Sequence, residues 1–438
     1  MQKTRRQFMR GAAAIAAMAV GGTALSGCSS GSEDDNTFNI LQYEDPTQAQ
    51  GQGWKLAVDI FRKKHPDLTV RMQTTSFDAV RKNAKLMLAG NDVPDVMEFN
   101  KGNADGGQLA AQGLLAKLTG QVKKYGWDKK VTGAMQSLAL YNSLGNAGSG
   151  DWYGIPNIGE YVTMYYNKEL FAKAGITAEP KTMDEFVEAM KKLKAAGITP
   201  VSSSASTNNG WNQLWLWYSL VSAYADRRQV NDFTFLQHPV NFSQSPWSTG
   251  TDQFQQWIDQ GYLGKGLGGL NFEQAAVTFL SGKAGMYMWN NGQFVRMQNE
   301  AKFKWGFFTL PGAKMTMGSS GHLWGVPAKS RHKELAYEFI DITLSKQVQN
   351  RIGQLGGLPV AADLDTITDP VTKAYTARFY ETIDDDSLSF YPDYPVIGFL
   401  DFLATHMQKM SSRSEGSKEF RDKLQKFYDT GRKEALVP

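Results

Sequence analysis

The stretch NNGWNQLWLWYSL, residues 208–220, packs three tryptophans and a tyrosine into one short segment. Such rings do one of two things: they fill a core, or they offer a flat apolar face on which a ligand stacks. Spacing alone leaves both open here. Catalytic patterns are scarcer. The five histidines form neither HExxH nor a paired Cys/His set, so no zinc motif is present. No G-x-S-x-G nucleophile elbow occurs. Residues 264–269, GKGLGG, match G-x-G-x-x-G but follow a helical pattern around Phe254 and Trp257 rather than a strand, and so read as a loop. Neither Gly-Lys pair, at 264–265 or 282–283, precedes Ser or Thr, which removes a P-loop. Carboxylates are plentiful, and two set ~5–10 Å apart across a sugar would make a glycosidase. The sequence leaves that alternative open.

The elements that must position these groups follow from periodicity. Phe38 to Tyr43 reads as a strand stopped by Glu44-Asp45-Pro46. A helix then carries Trp54, Val58 and Phe61 on one face. Leu68, Val70 and Met72 alternate as a second strand, a helix spans 77–89, and Pro94 to Phe99 form a third strand ending at Asn100. Strand and helix alternating with short connections predict an α/β fold with a mostly parallel sheet. Ligands sit beyond the carboxyl ends of such strands, which singles out Tyr43, Glu44 and Asn100. After the glycine-rich break at 145–150 comes a second unit. It has a long strand over 161–167 and a helix opened by the capping box Thr182-Met183-Asp184-Glu185. A helical tail over 411–436 carries Phe420, Leu424 and Phe427 at helical spacing.

The N-terminus speaks for export. Arg5-Arg6 with Phe8 resembles a twin-arginine signal, and a short apolar run leads to Leu25-Ser26-Gly27-Cys28, which resembles the bacterial lipobox. Cys28 is the only cysteine, so the folded part holds no disulfide and the thiol is the expected lipidation site. Residues 1–27 then form an export signal and 28–37 a flexible tether to a membrane anchor. Removing the four basic residues of that signal from 47 leaves 43 against 43 acidic ones. The remaining chain is near neutral, which argues against nucleic acid as a partner. Aromatic residues are 12% of the chain, a surplus that asks for a use.

Five motifs, in order, resemble one family. They are Asp151-Trp152-Tyr153-Gly154-Ile155-Pro156, then residues 164–176 (MYYNKELFAKAGI), 279–286 (FLSGKAGM), 324–330 (WGVPAKS) and 356–360 (GGLPV). Together they resemble the extracellular solute-binding proteins of bacterial ABC importers, most of all the family-1 group that captures sugars and oligosaccharides. The resemblance implies a two-lobed, periplasmic-binding-protein-like (type II) α/β fold with a ligand cleft between discontinuous lobes. The expected lobes are 38–157 plus 309–350 and 158–308 plus 351–438, with crossings near 155–163, 307–311 and 345–353. It further implies hinge closure on a carbohydrate, delivery to ABC permease subunits, a monomer, no cofactor and no catalysis. The alternatives are an exported glycoside hydrolase and a binding protein for another polar solute, such as a polyol or glycerol phosphate. A phosphate would favour Arg or Lys in the cleft, and none is among the candidates.

A sugar offers C–H faces to aromatic rings and a rim of hydroxyls to amides and carboxylates. Candidates for those roles come from several loops. By resemblance, Trp289 is a cleft aromatic with Asn290 beside it; Asn100 and Asp105 follow the third strand; Glu160 lies in a crossing. By the same resemblance, Tyr394 and Asp393 belong to a loop that closes over the sugar. Ser319 and its neighbour His322 lie in a segment able to line the cleft, though a histidine there is also an ordinary packing residue. The opening stretch then divides. Leu214, Leu216, Trp217 and Leu220 are assigned to core, whereas Trp211, Trp215 and Asn209, at the helix start, are assigned to the ligand.

Overall fold

A computed structural model describes residues 36–437; the expected export signal, Cys28 and most of the tether lie outside the described residues. Two separate sheets organise the chain. In the first, Thr37–Gln42 sits between Thr69–Thr74 and Val96–Phe99, all parallel. Leu323–Gly325 then adds antiparallel to Val96–Phe99, and Ile155–Pro156 pairs antiparallel with it at the edge. In the second, the long strand Glu160–Asn167 lies between Trp305–Phe308 and Ala284–Asn290, antiparallel to both, and Thr199–Ser202 pairs parallel with Ala284–Asn290. The fold is thus the two-lobed α/β type, with each lobe assembled from distant parts of the chain. No helix among the described residues is long and apolar enough to cross a membrane.

Local signals account for most elements. The helix Phe77–Ala89 starts where Ser76 accepts from the Ala79 N–H. Thr182 caps the helix Met183–Ala195 by accepting from the Glu185 N–H. The return arm of that expected capping box goes elsewhere, because Glu185 accepts from the Lys181 N–H at 2.6 Å. The expected tail over 411–436 is one helix, Ser417–Ala435, which buries Phe420, Leu424 and Tyr428 and leaves Phe427 only partly covered; a separate helix, Phe399–Ser411, precedes it.

The passages between lobes are set by strand pairing. The chain leaves the first sheet at Pro156 and enters the second at Glu160. It returns between Ser319 and Leu323, later than the expected 307–311. The reason is that Phe307 and Phe308 are laddered to Tyr165 and Met164, and Gly318–Ser319 still pairs with Tyr161 and Glu160. A further passage follows the helix Lys346–Gln354, which packs on helix Ala49–Lys64 of the first lobe. Beyond it, Tyr375 and Phe379 of helix Pro370–Asp384 pack on Tyr161, with ring centroids 4.9 and 5.4 Å away.

Aromatic rings build both cores. In the first lobe Trp324 meets Trp54 and Phe339 edge-on, both at 5.4 Å. In the second, helix Asn212–Tyr224 buries Leu214, Leu216, Trp217 and Leu220, as the sequence assigned. The Trp217 Nε1–H donates to Thr251 Oγ1 at 2.9 Å, so its one polar atom is satisfied. Thr251 belongs to helix Trp247–Asp259, which approaches closely because Gly250 has no side chain; a Cβ there would lie 2.6 Å from the Val221 nitrogen. Trp217→Ala removes the ring and leaves Thr251 alone. It is expected to cost about 3–5 kcal/mol of unfolding free energy in urea denaturation, with Trp217→Phe losing less.

Candidate functional site

The carboxyl ends of the first sheet's parallel strands and the ends of the second sheet's central strands meet at one cavity of about 390 Å³. Larger recesses of about 590 and 860 Å³ open near Arg71 and near Pro311, but neither brings the ends of both sheets together. One wall is aromatic. Trp215 and Trp289 lie 4.2 Å apart between ring centroids, Phe272 stacks on Trp289 at 4.9 Å, and Tyr391 continues from Trp215 at 5.4 Å. Trp211 also lines this cavity and is half-buried.

The indoles are held from behind. Trp211 is the N-cap residue of helix Asn212–Tyr224 rather than part of its first turn. Asn212 fixes that end by donating to the Met288 carbonyl at 2.9 Å and accepting from Ser204 Oγ. Asn209, at φ 58°, turns the chain just before, and its carbonyl accepts from the Phe272 N–H at 2.8 Å. Trp289 is the next-to-last residue of strand Ala284–Asn290, so the pairing that aligns Thr163 with Trp289 also aims its ring.

The loop 389–395 closes another side. Its Tyr394 lies against Gly102, at φ 89°, where a Cβ would sit 2.8 Å from that of Tyr394; only glycine suits both the conformation and the space. The Tyr394 and Pro395 carbonyls accept from the Asn103 N–H and Nδ2, each at 2.9 Å.

The remaining wall is polar. Lys101 is withdrawn from water, with Nζ 3.4 Å from Glu160 Oε2 and 5.7 Å from the Tyr394 ring centroid. Burial lowers its pKa, opposed chiefly by the charge of Glu160. Burial also pushes Asp393 up to about 6, against its own backbone hydrogen bond and the nearby Lys101. Asn100 Nδ2 donates to Asp105 Oδ2 at 2.6 Å, and burial raises Asp105 despite that bond. His322 Nδ1 meets Glu44 Oε1 at 2.6 Å, and its ring lies edge-on to Tyr43 at 4.3 Å. Burial, and next Glu44, drive Glu98 well above the usual carboxylate range.

Of the sequence candidates, Trp211, Trp289, Asn100, Tyr394, Glu160, Asn290, Trp215, Asn209 and Asp393 line this cavity together. Tyr43, Asp105 and Ser319 stand behind the lining. Tyr43 backs His322, Asp105 holds Asn100, and the Ser319 hydroxyl meets that of Tyr394 at 3.2 Å. The sequence reading passed over Ser76, Phe77, Asp78, Lys101, Phe272, Tyr391 and Leu400, and left His322 between cleft and packing; it lines the cavity. Two signals were available. Ser76-Phe77 follows strand Thr69–Thr74 just as Asn100 follows Val96–Phe99, and Phe272 follows Asn271, the cap of a capping box.

The chain belongs to the family of bacterial extracellular solute-binding proteins, whose profile matches residues 45–350. It is 25% identical over 364 residues to the multiple sugar-binding protein of Streptococcus mutans, covering 78% of this chain and 80% of that one. The arabinooligosaccharide-binding protein of Bacillus subtilis is 24% identical over 303 residues, 66% of either chain. Among solved structures, a chitin oligosaccharide binding protein superposes with a TM-score of 0.76 at 22% identity. That superposition covers 90% of this chain and 98% of the other, a likeness of fold.

The raised Asp393 makes stability fall as pH rises. The native state holds this proton up to about 6, whereas the unfolded chain releases it near 3.8, so ionisation opposes folding between those values. Asp393→Asn is therefore expected to leave the melting temperature unchanged near pH 4 and raise it relative to the parent above pH 6, read from thermal melts across that range.

Proposed function

We propose that this protein is the capture component of a bacterial ABC importer, held at the outer face of the cell membrane by a lipid on Cys28, and that it binds a carbohydrate, specifically an oligosaccharide. The observation that carries this reading is the pairing of an indole wall, Trp211, Trp215 and Trp289, with a polar wall of Asn100, Lys101, Glu160 and Asp393 across one cavity. A sugar ring has complementary surfaces. Its C–H face loses apolar area against an indole, which is favourable by about 1–3 kcal/mol for a well-buried contact. Its hydroxyls pair with amides and carboxylates that would otherwise stay unsatisfied, at about 1–3 kcal/mol each. The names of the relatives, which are sugar- and oligosaccharide-binding proteins, support the same class.

Charge distinguishes this from the polar-solute alternative. Lys101 does line the cavity, contrary to the expectation that no cation would, but Glu160 neutralises it, Asp78 is paired with Arg81, and Asp393 adds a carboxyl group. An anionic solute such as glycerol phosphate is disfavoured by that balance. Because both lobes contribute lining residues, a ligand touching both has greater affinity for the closed form, and closure follows from that difference. The closed form is then presented to the permease, and no bond in the sugar is broken.

A thermal-shift panel of mono-, di- and oligosaccharides on the purified protein tests the reading, since a ligand of the native state must raise its melting temperature. If none does, the carbohydrate assignment fails; if the sugar is hydrolysed on incubation, the protein is a glycoside hydrolase instead. With the responding sugar, Trp211→Ala is expected to weaken binding tenfold or more, an ordinary figure for about 1.4 kcal/mol, by isothermal titration. The same variant should leave the melting temperature of the free protein within about 2 °C, because Trp211 is only half-buried.

A further inference from the structure

One cluster at the connection between the lobes has chemistry that sugar capture does not use. Glu44 follows strand Thr37–Gln42, Glu98 lies within Val96–Phe99, and His322 immediately precedes Leu323–Gly325. The register sets Leu323 opposite Phe99 and Trp324 opposite Glu98, which brings His322 to the same end of the sheet. One ligating atom from each of the three side chains lies within 4.8 Å of the other two. We infer that Glu44, Glu98 and His322 form a binding site for a first-row divalent transition ion, with Zn(II) as the probe. This inference stands apart from the carbohydrate reading and does not require it.

Charge is the first argument. Glu98 is fully buried, and among the described residues it forms no ion pair; Glu44 is largely withdrawn from water and its ion-pair partner is His322. Two carboxyl groups and one imidazole converge in a dry site, where the charge of a divalent ion favours the ionised, ligating form of each carboxyl. The supporting shell is the second. Asn157 Nδ2 donates to Glu98 Oε1 at 2.7 Å and the Tyr43 N–H donates to Oε2 at 3.1 Å, so each oxygen is oriented and keeps a free lone pair. Ligating carboxylates are held in this way.

An independent observation points the same way. Asn157 is fully buried, and its Oδ1 has no hydrogen-bond partner although its Nδ2 is anchored on Glu98; the Tyr43 hydroxyl is buried and unpartnered too. A hydrated ion would bring water donors to both atoms. The donor set of one imidazole nitrogen and two carboxylate oxygens suits Zn(II) or Mn(II). It falls short of the six to eight oxygens that Ca(II) gathers. Bonds of about 2.0–2.2 Å set donor atoms roughly 3–3.5 Å apart, so Glu98 must approach while the 2.6 Å His322–Glu44 pair opens. In the ion-free protein the 2.6 Å contact of His322 with Glu44 is a hydrogen bond, and the ion takes its place between the two side chains. Since His322 and Asn157 lie in the two passages at 319–323 and 156–160, the ion ties both to the first sheet.

Isothermal titration of ZnCl2 into the EDTA-stripped protein is expected to show one ion per chain. The melting temperature should rise when Zn(II) is added. Glu98→Gln and His322→Gln should each weaken Zn(II) binding at least a hundredfold, and Asn157→Ala about tenfold. His238→Gln, at an exposed histidine paired with Asp232, should leave it unchanged. Co(II) added to the parent protein gives a second readout independent of whether the variants fold, namely visible absorption bands that Zn(II) abolishes. No stoichiometric heat, no Co(II) bands, or Zn(II) binding undiminished in the Glu98→Gln and His322→Gln variants overturns the inference.

Discussion

Lys101 is almost wholly withdrawn from water, and its ammonium finds a carboxylate, Glu160, on the other sheet. A buried ammonium without a partner is costly enough to exclude the arrangement, so the loop after Val96–Phe99 and the start of Glu160–Asn167 must stay close. Much else is hung on that proximity. Gly102 and Asn103, next to Lys101, receive Tyr394 and the carbonyls of its loop, and Glu160 begins the strand whose pairing aims Trp289. At 3.4 Å the pair is longer than a strong charge-assisted hydrogen bond, which leaves both groups able to bond a third. A ligand hydroxyl between them would gain from both charges at once.

The aromatic wall obeys a second rule, that indoles placed at a surface need their own packing. Trp215 and Trp289 are nearly buried even though they line the cavity, because each packs against neighbouring rings. The same residues face the core on one side and the cavity on the other. Along the segment 208–220 the balance between core and cavity changes residue by residue. Trp217 is interior throughout, Trp215 is shared, and Trp211 at the N-cap is the more open.

Fold class was legible because period-2 and period-3.6 patterns, with Ser76 and Thr182 as caps, mark elements locally. Strand Glu160–Asn167, helix Phe77–Ala89 and the core face of helix Asn212–Tyr224 lie where the patterns put them. The passage at 319–323 was hidden, since pairing of Phe307 with Tyr165 spans long separations that no local pattern records. In the cavity, residues at strand ends could be nominated one loop at a time. Lys101 could not, because a lysine in a loop ordinarily faces water and only the position of Glu160 permits its burial. The Glu44–His322 contact, 278 residues apart in sequence, is invisible for the same reason, and a search for linear metal motifs passes over it.

The closeness of Trp215 and Trp289 also has a spectroscopic side. Two indoles with centroids 4.2 Å apart and tilted by 37° couple their electronic transitions, and Trp211, open to the same cavity, emits beside them. Anything that enters changes the polarity around one chromophore and the angle between the other two. Near-ultraviolet circular dichroism and tryptophan emission thus report on the cavity directly, and the protein carries its own optical probe without a label.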